Sequence, residues 1–297
     1  MLTAEYFVLD GAWSLALPTI QGQKLSVTIS EKKEHFIHWQ SIVEDEVWLD
    51  FFLAENYEIT LLKGEIEKAT IIQHLLKMVQ QEKPLLLQNN FSYNLKIEAD
   101  FPRNWGLGSS STLIANIAKW SGLNGFLLNE KIFGGSGYDI AVALEGKSVL
   151  YQLENKKPFY KTTTIHFPFA ENLFFIHLNQ KQNSREGIAH YKQLNIDKQP
   201  IIQQLNEITQ NIFQADSLQQ FEALLNQHED IIAQSLQLKK VKDLFFADYW
   251  GSVKSLGAWG GDFVLATSHK AKAETLQYFQ KKGYDTILNY KDIIFAN

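Results

Sequence analysis

The chain has 297 residues, with 33 Asp/Glu against 28 Lys/Arg, a formal net charge of −5 and 45% hydrophobic residues. That length supports one large domain or two ordinary ones around a generous core, and mild acidity argues against a protein that neutralises phosphates along a nucleic acid. The absence of cysteine removes disulfide frameworks, Cys-ligated zinc, iron–sulfur clusters and thiol catalysis together, and it fits a reducing compartment.

In chain order, residues 24–29 alternate with Leu25, Val27 and Ile29 on one face, which predicts a strand. Residues 65–81 carry Ile66, Ala69, Ile72, Leu76 and Val79 at helical spacing. Residues 91–97 alternate again, through Phe91, Tyr93, Leu95 and Ile97. A helix is predicted over 109–120, with Gly122 placed to stop it, and a strand over 147–153. Beyond a strand at 173–178, residues 184–253 read as mostly helical, with stripes such as Ile201, Ile202, Leu205, Ile208 and Ile212. A glycine-rich turn at 257–261, a strand at 263–266, a helix at 270–281 and a strand at 286–290 close the chain. Strands and helices mix without a regular βαβ rhythm, so the expected class is α+β. The composition shifts near residues 165–170, which predicts an N-terminal lobe over 1–168 and a C-terminal one over 169–297.

No apolar run reaches the roughly 18–20 residues of a membrane span, and residues 1–5 show no basic leader. The expectation is a cytoplasmic protein with no membrane and no nucleic-acid partner.

Three turns carry the chemistry. The first, Pro102-Arg103-Asn104-Trp105-Gly106-Leu107-Gly108-Ser109-Ser110-Ser111, follows a strand and opens a helix. Its glycines let backbone come close to a ligand. Its serines stand where free helix N–H groups and the positive dipole end attract an anion. A serine-capped turn without any ligand reads the same way locally. The second, Gly134-Gly135-Ser136-Gly137-Tyr138-Asp139, delivers a carboxylate to a helix start. Asp139 can accept a proton from a substrate hydroxyl there, or serve only as a first-turn acid. The third, Gly257-Ala258-Trp259-Gly260-Gly261-Asp262, lies between a helix and a strand and suits a helix C-cap.

Taken together and in this order, the turns resemble the motifs of the GHMP kinase superfamily, whose phosphate loop is P-x-x-x-G-L-G-S-S. Pro102 through Ser110 fits that loop at every defined position. The string Gly137-Tyr138-Asp139-Ile140-Ala141 is similar to a subgroup named after it, and phosphomevalonate kinases have a comparable turn. Glu5-Tyr6-Phe7-Val8-Leu9-Asp10-Gly11-Ala12 resembles the family's G-E-Y/H-x-V-L-x-G opening, with Ala4 in place of glycine and Trp259 in place of a glycine of the last motif. The P-G-K segment that precedes the opening in family members is not in this sequence. That implies either translation from an upstream start, the preferred expectation, or one catalytic cation fewer.

The resemblance implies a two-lobed α+β architecture, with a ribosomal-protein-S5-like N-terminal lobe and a ferredoxin-like C-terminal lobe. It implies an ATP-dependent kinase of mevalonate or phosphomevalonate in isoprenoid precursor synthesis, with ATP and Mg²⁺ as cofactors. In that reading Asp139 is catalytic. Pro102, Trp105, Gly106, Leu107, Gly108, Ser109, Ser110 and Ser111 hold nucleotide, and Gly257, Gly260 and Gly261 close over it. Ser110 and Glu130 are the metal residues, and Glu5, Lys181, Ser184 and Arg185 meet the substrate. Alternatives are a diphosphomevalonate decarboxylase-like enzyme, releasing CO₂ along with ADP, and a non-catalytic nucleotide or metabolite-binding regulator. A homodimer is compatible with either activity. Two of the 28 cations are arginine, Arg103 and Arg185, and both fall in segments assigned to anionic ligands, where a guanidinium fork suits phosphate or carboxylate.

Overall fold

The computed structural model describes residues 1–32, 35–180, 184–257, 259 and 261–295, apart from the side chains of Ser184 and Arg185. Among them no helix is long and apolar enough to cross a membrane. The chain forms two compact units, one of residues 1–20, 104–106 and 145–297, the other of residues 21–103 and 107–144. The class is α+β, as the mixed element order predicts.

The chain opens in the first unit with strand β1 (Ser14–Ala16) and then enters the second. There β2 (Gln23–Glu31), β3 (Ile37–Val43), β4 (Glu46–Leu53) and β5 (Ile59–Lys63) precede helix α1 (Ile66–Glu82) and strand β6 (Phe91–Ala99). These strands form one sheet in the order β2-β6-β3-β4-β5. The two alternating segments seen in the sequence are neighbours in it, with Leu25 opposite Ile97 and Val27 opposite Leu95. Trp39 and Phe51, from the inner strands β3 and β4, share a core with Leu75, Leu76 and Val79 of α1. Burying each such side chain contributes about 1.5–3 kcal/mol. Helices α2 (Ser109–Ser121), α3 (Gly125–Ile132) and α4 (Tyr138–Glu145) complete this unit.

Strands β7 (Ser148–Glu154) and β8 (Lys157–Thr163) return the chain to the first unit, in the sheet order β1-β7-β8. Because β7 pairs with β1, residues 145–163 group with residues 1–20 in the first unit. The boundary predicted at 168/169 therefore differs from the division into units. The remainder runs β9 (Leu173–His177), then the predicted helical stretch, resolved into α5 (Ser184–Gln193), α6 (Gln199–Ile212), α7 (Leu218–Leu236) and α8 (Val241–Phe245). Next come β10 (Val253–Ser255), β11 (Phe263–Thr267), α9 (Lys272–Lys281), β12 (Ile287–Asn289) and α10 (Tyr290–Ile293). The sheet order is β10-β11-β9-β12, antiparallel throughout. A β-α-β-β-α-β path with that order is the ferredoxin-like arrangement.

Candidate active site

In the second unit, α2 begins directly after Gly108, which is the N-cap in the left-handed conformation at φ 79°. Only glycine adopts that backbone readily. It brings no side chain to the first-turn N–H groups, so the helix start keeps its donors for a ligand. Ser109 and Ser110 are exposed there. Ser111 is not: it is 6% exposed and lies on the buried side of α2 with Ile114 and Ala115. Thr112 Oγ1 donates to Gln23 Oε1 at 2.8 Å and Asn116 Nδ2 to the Gln23 carbonyl at 3.1 Å, fastening α2 to β2.

Asp139 lies in the first turn of α4. The preceding glycine turn is held from α3, where Asn129 Nδ2 donates to the Gly134 carbonyl at 2.9 Å. Ile140, fully buried, and Ala118 of α2 crowd the space beside Gly125, which keeps α2, α3 and α4 in close packing. Asp139 Oδ2 accepts a short hydrogen bond from Ser111 Oγ, and Oδ1 accepts from the Ile140 N–H at 3.0 Å. The carboxylate predicted as catalytic is thus fixed to the helix predicted to bind phosphate. Glu130 is exposed near the end of α3, and the structure gives it no partner in this constellation.

Arg103 uses its fork differently from the expectation. Its guanidinium carbon stands 3.8 Å over the Trp48 ring, and its Nη2 lies 4.0 Å from Glu65 Oε1. The stacked cation is an aromatic–guanidinium contact, not one already aimed at phosphate.

In the first unit, Trp105 meets Phe263 edge-on at 5.7 Å. Gly106 has φ +64°, and a Cβ there would overlap the Asp262 carboxylate. His177 Nε2 donates to the Asn104 carbonyl at 3.0 Å. Gly257 and Gly261 lie in the third turn, and its Trp259 is 5% exposed, with its N–H donating to Tyr6 Oη at 3.0 Å and its indole Nε1 to the Lys239 carbonyl at 3.1 Å. The tryptophan that departs from the family's glycine therefore anchors this turn in the core.

Glu5, expected at the substrate, is enclosed instead. It is 1% exposed, and its Oε1 accepts from Lys254 Nζ at 2.6 Å. Lys254 Nζ also lies 3.5 Å from Glu229 Oε1, and Glu229 Oε2 accepts the Ser255 N–H at 3.2 Å. His228 Nε2 accepts the Ala4 N–H at 2.8 Å and stands 3.2 Å from Glu5 Oε2. An Nε2 that accepts a backbone proton is bare, so the ring is neutral and carries its proton on Nδ1. Burial and the Lys254 charge hold the His228 imidazole well below its ordinary range. Burial pushes Glu5 up, against the pull of Lys254, and pushes Glu229 up to about 7. Here the N-terminal motif works as an internal ionic tie to β10 and α7.

Lys181 and Gly260 lie outside the described residues, and Ser184 and Arg185 are placed only as backbone at the start of α5. Sequence reasoning passed over Lys254, Glu229 and His228 and gave Asp262 no role. Asp262 was legible as the acid closing the last glycine motif; the other three gave no local signal. Asp139, Glu130 and Ser109–Ser111 belong to the second unit, whereas Glu5, Trp105, Gly106, Gly257 and Gly261 belong to the first.

No family model matches the sequence, and no curated protein matches it. Among solved structures, the chain is similar to the mevalonate kinase of Methanococcus jannaschii, at 17% identity over 100% of this chain and 95% of that one, with a TM-score of 0.68. It is similar to the Streptococcus pneumoniae phosphomevalonate kinase in complex with phosphomevalonate and AMPPNP, at 17% identity over 97% and 96% of the two chains, TM-score 0.66. A D-glycero-D-manno-heptose 1-phosphate kinase from Bacteroides thetaiotaomicron matches at 14% identity over 100% and 91%, TM-score 0.63. At such identities the likeness is one of fold.

Proposed function

The chain carries the fold of the GHMP kinases, and from that premise we propose that it is an ATP-dependent phosphotransferase acting on mevalonate or phosphomevalonate. The observation that carries the reading is the bond between Ser111 and Asp139, which ties a carboxylate to a helix start with exposed serines and no side-chain cap. A polyphosphate needs donors without competing acceptors, and an acceptor hydroxyl needs a nearby base. The α2 start fits the first requirement and Asp139 the second.

Mg²⁺ bound with ATP would neutralise charge developing on the γ-phosphoryl group. Ser110 is the hydroxyl assigned to the metal, with Glu130 as the carboxylate expected from the sequence. Ser109 and the first-turn N–H groups of α2 would hold phosphate oxygens, and Asp139 would orient or deprotonate the acceptor. The choice of a mevalonate-like acceptor is supported by the glycine turn before Asp139, which is similar to that of phosphomevalonate kinases, and by the solved folds of both kinases.

The test is ADP release from ATP across mevalonate, phosphomevalonate, homoserine, galactose and a heptose 1-phosphate, with CO₂ followed in parallel for diphosphomevalonate. Turnover with mevalonate or its phosphate is expected. Turnover confined to another acceptor would overturn the substrate assignment. Tight ATP binding with no turnover on any acceptor would favour the regulator.

A further inference from the structure

We propose that Ser111 is a positioning residue for Asp139 and takes no part in holding phosphate, although it sits among serines that resemble phosphate ligands. The inference rests on the reading of Asp139 as the acceptor-side base. It separates three consecutive serines that look equivalent in sequence.

The separation comes from the helix period. Three successive residues in the first turn of a helix point about 100° apart, so they cannot all face one ligand. Ser109 and Ser110 are exposed, while Ser111 is buried at 6% with Ile114, Ala115 and Ala118 on the same side of α2. A hydroxyl has one proton to give. That of Ser111 goes to Asp139 Oδ2, and it cannot at the same time go to a phosphate oxygen. The phosphate-loop resemblance points the same way, since its defined positions end at Ser110.

The bond also does something for Asp139 that its own helix does not. Asp139 Oδ1 takes the N–H of its immediate neighbour Ile140 at 3.0 Å, a local contact that leaves the far oxygen to be fixed by another element. Ser111 supplies that fixation from 28 positions earlier in the chain, and α2 is itself tied to β2 through Gln23. The carboxylate plane is set by two donors from two helices. A base displaced by a fraction of an ångström loses its alignment with the hydroxyl it serves. Phosphate affinity, set by the exposed serines and the helix start, is untouched by the same displacement.

The experiment uses the full chain with Ser111→Ala, Ser111→Thr, Ser110→Ala and Asp139→Asn. It measures the ATP Kd by titration, kcat and KM for the acceptor, and the ¹³Cγ resonance of Asp139, assigned by its loss in Asp139→Asn. For Ser111→Ala the expected result is an ATP Kd within about 2-fold of the parent, kcat lower by about 10- to 100-fold and a displaced Asp139 resonance. Ser111→Thr, which keeps the hydroxyl, should return the resonance and most of kcat. Ser110→Ala should weaken ATP instead. If Ser111→Ala weakens ATP as much as Ser110→Ala, with kcat at saturating ATP and the Asp139 resonance unchanged, Ser111 is a phosphate ligand and the proposal is wrong. A parent without turnover on any acceptor would sink the kinase reading alone; the ATP affinities and the Asp139 resonance would still decide the role of Ser111.

Discussion

Lys254 Nζ lies 2.6 Å from Glu5 Oε1, and both side chains are enclosed, so a residue near the N-terminus is tied to one 249 positions later. The pair is held among Glu229, His228 and the Ser255 backbone. Breaking a buried ion pair by removing one partner leaves an uncompensated charge and costs about 3–5 kcal/mol. Lys254→Ala should lose stability on that scale in denaturant unfolding. Lys254→Met combined with Glu5→Gln should recover a large part of it, because both charges are then gone. Equal losses in the single and double variants would show that packing, not charge, accounts for the effect.

The same cluster sets a pH dependence. Glu229 is raised to about 7, from a carboxyl value of 4.5 when solvated. Between those values the folded chain holds a proton that the unfolded chain has released, so stability declines as pH rises through the window. Glu5 is raised as well and adds to the decline. His228 acts in the opposite sense: its folded value lies well below 6.5, so stability falls as pH drops below 6.5. The opposing slopes offset each other below pH 6.5, and the carboxyl decline stands alone just above it. Parent Tm should therefore fall from pH 6.5 to 8, and the fall should be smaller in Glu229→Gln. An unchanged fall in that variant would contradict the assignment.

Much of this architecture was legible because alternation and helical spacing mark faces that one neighbour covers. The alternating segments became β2 and β6, paired in the register their apolar faces require. Strand β3 was not legible as part of the pattern, since its inward position 41 is a buried serine, kept there by the Trp39 Nε1–H donating to Ser41 Oγ at 2.8 Å. Helices α3 and α4 have eight residues each, too few turns for a period to show. His228 and Glu229 were illegible for a different reason. They sit on α7 as ordinary polar residues, and their partners come from distant segments, Ala4 and Glu5 for His228 and Lys254 and Ser255 for Glu229. The glycine turns before α2 and α4 could be placed because glycines at helix starts leave a local trace; which of three serines would turn inward could not, because that depends on what packs behind α2.

Gly106 tests the close approach in the first unit. Alanine there meets two obstacles, a left-handed backbone at φ +64° and the Asp262 carboxylate. The backbone term alone costs about 1–2 kcal/mol. Gly106→Ala should be destabilised beyond that figure, and adding Asp262→Ala should return only the overlap part. A Gly106→Ala variant as stable as the parent would show that this approach is not maintained in solution.

Ala4 has φ +61° where the resembled motif has glycine, and Tyr6 has φ +65°. A buried Ala→Gly change normally costs about 1 kcal/mol. At position 4, relief of the left-handed backbone offsets that loss, of similar size at about 1–2 kcal/mol. Ala4→Gly should therefore leave the unfolding midpoint unchanged or raised. A drop of about 1 kcal/mol or more would mean that residue 4 is not strained.

In the proposed function Asp139, fixed by Ser111, serves the acceptor of a phosphoryl transfer from ATP. The most direct measurement is ADP release with mevalonate and with phosphomevalonate, parent against Asp139→Asn, alongside the ATP Kd of each. That role predicts turnover in the parent, a loss of about 10²- to 10⁴-fold in the variant and ATP affinities within about 2-fold of each other. Turnover undiminished in Asp139→Asn, or affinity lost in step with it, would contradict that role.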